Sequence, residues 1–507
     1  MNESTPSSNS AFTAHTPAAP PPGGLVRGLG VFMATAVVVG CVIGAGIFKK
    51  PQSIAENLPR FDVVAAVWIL GGVLALLGSL TMAEVAVLFP RAGGNYVFLR
   101  EGYGRWAGFL WGWVEFLIIK TASQAALATL FAESFHDLLR ETLGAGSSES
   151  LLSELELKAL TIAVIVFPAW VNIRGVRWGG GLQLAITLVK MASLLSIMLL
   201  PWVLLAMSRP LGDFPAGLPA ADLQKLEAAG GAAAVPRDIT MAGFLAAFLG
   251  VLWAYHGWLN LAPVAGEVRN PQRNIPIAML SGVVIVIILY LGANFAYYQV
   301  VAGWEMPFIK STTVANVFSI RLLGSVGGIL MPLAIMFSVF GALNGNLLTC
   351  PRLLYAMGED GLAPRALGAV HPRYHTPAMA ILVMAAWSIG LVLGVAALTW
   401  LGVLHPDRQH FDVLTDFAMF GAVVFETLAL TTIFVFRWTM PDAARPYRCW
   451  GYPVVPALYM IMPALVIQNM FSTEKNRLEA MTGAGFILVG AMVYLAFGRR
   501  TNHQPPV

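Results

Sequence analysis

An apolar run beginning near Leu29 is long enough to enter a bilayer, yet it carries Gly44, Ala45 and Gly46 where mid-membrane should fall. Glycine inside a helix costs up to about 1 kcal/mol relative to alanine. In hydrocarbon, each freed N–H or C=O costs several kcal/mol unless something satisfies it. A chain that weakens its own helix at that depth is expected to use the bared backbone. Discontinuous membrane helices do so by turning a half-helix N-terminus toward an anion and unwound carbonyls toward a cation. Taken alone, the stretch also fits a Gly40-xxx-Gly44 face for close helix packing.

Composition decides the solvent. Of 507 residues, 57% are apolar and 11% charged, against about 25% charged in soluble domains, so the chain is an all-α integral membrane protein. Twelve apolar runs reach spanning length. They fall near 28–56, 62–89, 104–135, 157–174, 178–207, 239–266, 275–302, 322–357, 376–403, 411–438, 452–472 and 480–498. A net charge of +4 is too small for this length to imply nucleic-acid binding. Cys41, Cys350 and Cys449 lie far apart, and no His/Cys/carboxylate cluster appears, so neither a disulfide framework, a metal site nor a cofactor is expected. No nucleophile–base pair stands out in the spans, which argues against an enzyme.

Residues 1–24 are rich in Ser, Thr, Ala and Pro and lack an apolar core, and they read as a disordered tail rather than a signal peptide. With that tail inside, 16 of the 31 Lys and Arg residues fall in inner loops, 13 in outer ones and two within spans. The bias is slight, but the outer loops are the longer and more acidic ones. The expectation is a multi-pass plasma-membrane protein with both termini cytoplasmic.

Charges inside spans face the bundle and seek partners. Span 3 holds Glu115 and Lys120, whose separation of five residues is poor for pairing on one helix face; a structural role in the bundle is expected. Lys190 lies deep in span 5, where it is either a cation near a transport site or a lysine snorkelling to a span end. Span 6 places His256-Gly257, Asn260 and Pro263 where helix should run, and an interior proline costs about 3 kcal/mol.

Spans 1 and 6 are therefore both interrupted near mid-depth. Paired interruptions, one opening each five-span half, point to a transporter site between inverted repeats. The expected division is a first repeat at 25–207, an outer loop at 208–238, a second repeat at 239–438, helices 11 and 12 at 439–498, and a tail at 499–507.

The motifs carry a family resemblance. Val-Ile-Gly-Ala-Gly-Ile-Phe (42–48) resembles the broken first helix of amino acid/polyamine/organocation permeases. Ala-Tyr-His-Gly-Trp (254–258), with Gly-Glu-Val-Arg-Asn-Pro (266–271), resembles their sixth-helix motif. The stretch 337–364 looks like their eighth helix and following loop, and the segment around Glu115 and Lys120 is similar to the L-type, or LAT-like, branch in bacterial form.

The resemblance implies a leucine-transporter-like 5+5 inverted repeat with broken helices 1 and 6. It implies a secondary active transporter of neutral L-amino acids that works by alternating access, independently of sodium, by exchange or with proton coupling. The substrate carboxylate would sit on the N–H groups of Gly44, Ala45 and Gly46, and its ammonium on carbonyls of Val42 and Ile43, and of Trp253 and His256 where helix 6 unwinds. Ala254 and Tyr255 complete that segment. Trp253 would cover the substrate, and a largely apolar pocket would take its side chain. Lys190 would stand where sodium-coupled relatives hold sodium, bridging the first break to helix 8 near Ser338. No cysteine lies between spans 3 and 4, so no disulfide-linked heavy chain is expected. A cationic amino acid or polyamine carrier is disfavoured because Glu84, Glu115 and Glu426 are expected away from the pocket. A non-transporting sensor of the same fold stays open, as does titration of His256.

Overall fold

The computed structural model of the protein describes residues 25–58, 60–143, 151–209, 211, 216–231, 238–402, 410–472 and 474–497. The expected tails 1–24 and 499–507 lie outside the described residues. Among them there is no β-sheet, and the single isolated bridge pairs Leu29 with Val268 in parallel.

The helices run in chain order as α1 (Val31–Val42), α2 (Gly46–Asn57), α3 (Phe61–Leu88), α4 (Asn95–Tyr103), α5 (Arg105–Val114), α6 (Thr121–Leu143), α7 (Glu154–Ile173), α8 (Val176–Ala206) and α9 (Ala220–Ala228). They continue as α10 (Met241–Tyr255), α11 (Pro271–Val300), α12 (Val314–Leu323), α13 (Ser325–Thr349), α14 (Pro351–Glu359), α15 (Ala378–Trp400), α16 (His410–Thr439), α17 (Val454–Ser472) and α18 (Glu474–Phe497). Ten described helical stretches are long and apolar enough to cross a membrane, and α10 and the Ala480–Ala496 part of α18 are shorter apolar helices.

Both expected interruptions are present. α1 ends at Ile43, whose ψ of 93° leaves the helical region, and α2 restarts at Gly46. α10 ends at His256 with ψ at 140°, Gly257 follows at φ +112°, and Pro263 falls in a 3-10 turn at Ala262–Glu267. Gly257 is required there twice over. Its φ favours glycine, and a Cβ would come within 2.8 Å of the Cys41 carbonyl oxygen.

Apolarity alone does not tell protein-facing spans from lipid-facing ones. The Val31–Asn57 and Ala378–Trp400 stretches are equally apolar, yet 78% of the first and 28% of the second is buried in protein. α1 packs against α8, α11 and α13, and α10 against α2 and α3, so the two broken elements occupy the middle of the bundle. Exposed Phe167, Trp170, Trp202 and Leu205 lie on the outside of α7 and α8, facing lipid.

The third span corrects one expectation. Residues Glu115–Lys120 form a π-helix between α5 and α6, whose wider turn makes residues five apart neighbours. Lys120 Nζ accordingly lies 3.8 Å from Glu115 Oε1 with both side chains buried. The bulge also bares carbonyls that side chains then satisfy: Thr121 Oγ1 donates to Phe116 O at 2.7 Å, and Trp387 Nε1 donates to Leu117 O at 2.9 Å. The spacing of five that disfavours pairing on an α-helix favours it here.

Candidate functional site

The α1–α2 break leaves backbone of both polarities exposed to the bundle centre. Among the described residues, no acceptor faces the N–H groups of Gly44, Ala45 and Gly46. They stand at the start of α2, where the helix dipole favours an anion.

The carbonyl side is already engaged. Lys190 Nζ donates to Gly40 O at 2.8 Å and Ile43 O at 2.6 Å, from a residue 1% exposed. Ser338 Oγ donates to Gly44 O at 3.0 Å and reaches Ile43 O at 3.4 Å. Lys190 thus reaches the break directly and does not snorkel to a span end. α13 can approach because residue 341 is glycine: a Cβ there would lie 2.5 Å from Lys190 Cε.

Tyr290 of α11 was not singled out by the sequence. Its hydroxyl lies 2.9 Å from Val42 O and 3.1 Å from Ala254 O, so one side chain spans both breaks. A single tyrosine in an apolar run gives no sequence signal for such a role.

Between the breaks lies a cavity of about 40 Å³, room for a few waters. Val42, Gly44, Ala45, Gly46, Trp253, Ala254 and His256 line it. Ile43 does not, being fully buried with its carbonyl toward Lys190 and Ser338. Tyr255 lines a neighbouring cavity instead, and Lys190 and Ser338 stand behind the break rather than in the wall.

The rest of the wall corrects the apolar expectation. It includes Lys120, Ser123, Asn260 and Asn346. Lys120 Nζ donates to Asn260 Oδ1 at 2.9 Å, and Asn260 Nδ2 donates to Asn346 Oδ1 at 3.2 Å. These bonds make a polar floor from the π-helix through the α10 break to α13. Glu426 is also closer than expected: its Oε1 lies 2.9 Å from His256 Nε2, an ion-pair distance when the imidazole is protonated.

The two half-helices meet with no slack at one point. A Cβ on Gly46 would lie 2.7 Å from Ala254 Cα, whereas one on Gly44 would make ordinary contact with Ala342 at 3.5 Å. Overpacking of this kind costs about 1–3 kcal/mol. Gly46→Ala is therefore expected to melt at a lower temperature than Gly44→Ala in fluorescence-detected unfolding. Equal melting curves would mean that α2 and α10 are free to separate.

A family model for amino acid permeases matches residues 29–497. The chain is 30% identical over 479 residues to the serine/threonine exchanger SteT of Bacillus subtilis (strain 168), covering 94% of this chain and 98% of that one. It is 29% identical over 476 residues to the human cystine/glutamate transporter, covering 93% and 85%. With the human large neutral amino acids transporter small subunit 2 it shares 28% over 481 residues, covering 95% and 82%.

Proposed function

This chain belongs to the amino acid permease family, in its L-type branch, and from that premise we propose that it carries neutral L-amino acids by alternating access without sodium. It is a multi-pass membrane transporter of amino acids and not an enzyme. The finer reading is a twelve-span plasma-membrane protein with cytoplasmic termini and two inverted five-span repeats at 25–207 and 239–438. α10 and α18 would supply the spans beyond the ten long ones.

The observation that carries the reading is the pairing of the two breaks across one cavity. The α-carboxylate would accept hydrogen bonds from the N–H groups of Gly44, Ala45 and Gly46. Ile43 O already accepts from Lys190 and Ser338. A carbonyl has two lone pairs, so the ammonium falls to the remaining capacity of Val42, Trp253 and His256. The cavity is small enough that substrate must spread the half-helices, which couples binding to the rocking of one bundle against the other.

The polar floor of Lys120, Asn260 and Asn346 favours neutral side chains that hydrogen-bond, and similarity to a serine/threonine exchanger lends that support. Lys120 stands in the cavity wall itself, whereas Glu115 and Glu426 line neighbouring spaces, so among the described residues no carboxylate is presented in that wall to a cationic or polyamine cargo. All three cysteines are buried, so no thiol is presented for a disulfide to a heavy chain, and transport by the chain alone is proposed.

Uptake of labelled L-serine and L-leucine into proteoliposomes tests the reading, with and without internal amino acid, a pH gradient, and sodium. Exchange requires internal amino acid, whereas proton coupling gives uptake into empty vesicles driven by external acid. Binding without flux would identify a sensor and overturn the proposal.

A further inference from the structure

Around the cavity floor, four titratable side chains from three elements converge. Glu115 and Lys120 come from the π-helix, His256 from the α10 break, and Glu426 from α16. Glu115 is 7% exposed and lines an internal cavity, and its Oε2 has no hydrogen-bond partner among the described residues. His256 lines the substrate cavity and an adjoining one of about 30 Å³; Glu426 lines that one and a third of about 20 Å³, which also contains Glu115 and Asn260. The exposure of His256 and Glu426, 17% and 15% of their side chains, is thus into internal water-sized spaces.

Charge counting then decides what the cluster lacks. Two carboxylates face one ammonium, so with a neutral imidazole the group carries one uncompensated negative charge at membrane depth, where isolated charges are expensive. The other groups facing it are the Tyr459 hydroxyl of α17, the Tyr255 hydroxyl of α10, the Cys350 thiol that ends α13 and the Cys41 thiol of α1. None of these supplies a positive charge. Lys190 is spent on the Gly40 and Ile43 carbonyls on the other side of the break.

We propose that His256, Glu426 and Glu115 form a site for one exchangeable proton, and that amino acid binding in the adjoining cavity loads it. The link is dehydration. An amino acid entering the cavity displaces water from His256, Lys120 and Asn260, which raises the cost of the uncompensated charge and draws a proton from solution. This inference rests on the proposed amino acid site and specifies how that site is coupled.

The test uses purified full-length protein in lightly buffered solution with a pH indicator, and L-serine and L-leucine as probes. The wild type is expected to take up about one proton per bound amino acid between about pH 5 and 8. Glu426→Gln removes the unbalanced charge, so it is expected to bind amino acid with proton uptake lost. His256→Gln removes the imidazole and leaves only carboxylates to hold the proton, so the pH profile of uptake is expected to differ from that of the wild type. If Glu426→Gln does not yield monodisperse protein, the His256→Gln profile decides alone. Wild-type binding without proton uptake, or either variant with an unaltered profile, overturns the proton site. Failure of the wild type to bind any amino acid overturns the transport reading beneath it instead.

Discussion

Glu267→Ala is expected to be among the most destabilising single substitutions in this chain, costing about 3–5 kcal/mol. Glu267 ends the 3-10 turn after the second break, and its carboxylate accepts from Arg352 Nε at 2.7 Å and Nη2 at 3.1 Å, with both side chains fully buried. Its backbone is tied as well: Leu29 N donates to Glu267 O at 3.0 Å, and Arg269 N donates to Leu29 O at 2.8 Å. The pair therefore locks the entry to α1, the exit from the α10 break and the start of α14 at one point. Without Glu267 a guanidinium is stranded, and arginine cannot shed its proton to escape. Arg352→Leu strands a carboxylate, which can take up a proton, so it is expected to cost less. The double substitution Glu267→Leu/Arg352→Met removes both charges and is expected to recover most of the loss, since apolar replacement of a buried pair is often close to neutral. Thermal unfolding of the three purified variants checks this order. A Glu267→Ala protein as stable as wild type would mean that the pair contributes nothing to the fold.

What the sequence disclosed and what it hid divide along range. The breaks at Gly44–Gly46 and at His256-Gly257 were legible because glycine and proline act locally, on the backbone of the residues that carry them. Lys190 was legible because an ammonium amid apolar residues must find partners. The partners themselves were not legible. His256 meets Glu426, Tyr290 meets Val42, and Arg352 meets Glu267 only through packing between distant segments. The Glu115–Lys120 pair was hidden for a different reason. Its spacing of five is visible in the sequence but brings two side chains together only on the wider turn of a π-helix, which nothing in the residue pattern announces. The polar wall of the pocket is again a matter of range. Lys120, Asn260 and Asn346 sit on three elements, and their bonding into one floor is a tertiary fact.

Lys190→Ala is expected to cut amino acid flux in proteoliposomes by about two orders of magnitude while leaving yield and monodispersity near wild type. The ammonium makes two charge-assisted hydrogen bonds to the break, to Gly40 O and Ile43 O, each typically worth about 1.5–3 kcal/mol. Losing both bares Gly40 O and leaves Ile43 O only its 3.4 Å contact with Ser338 at the junction of α1 and α2, and about 1.4 kcal/mol is a factor of ten in population or rate. Folding is spared relative to flux because α1 stays packed on α8, α11 and α13 through apolar residues such as Val37, Val38 and Val39. Lys190→Arg is expected to fail as well. The lysine stem passes so close to Gly341 that even a Cβ there would lie 2.5 Å from Cε, which leaves no room for a planar guanidinium. Wild-type flux in Lys190→Ala, measured at matched protein density in the vesicles, would remove Lys190 from the transport cycle and reduce it to a packing residue.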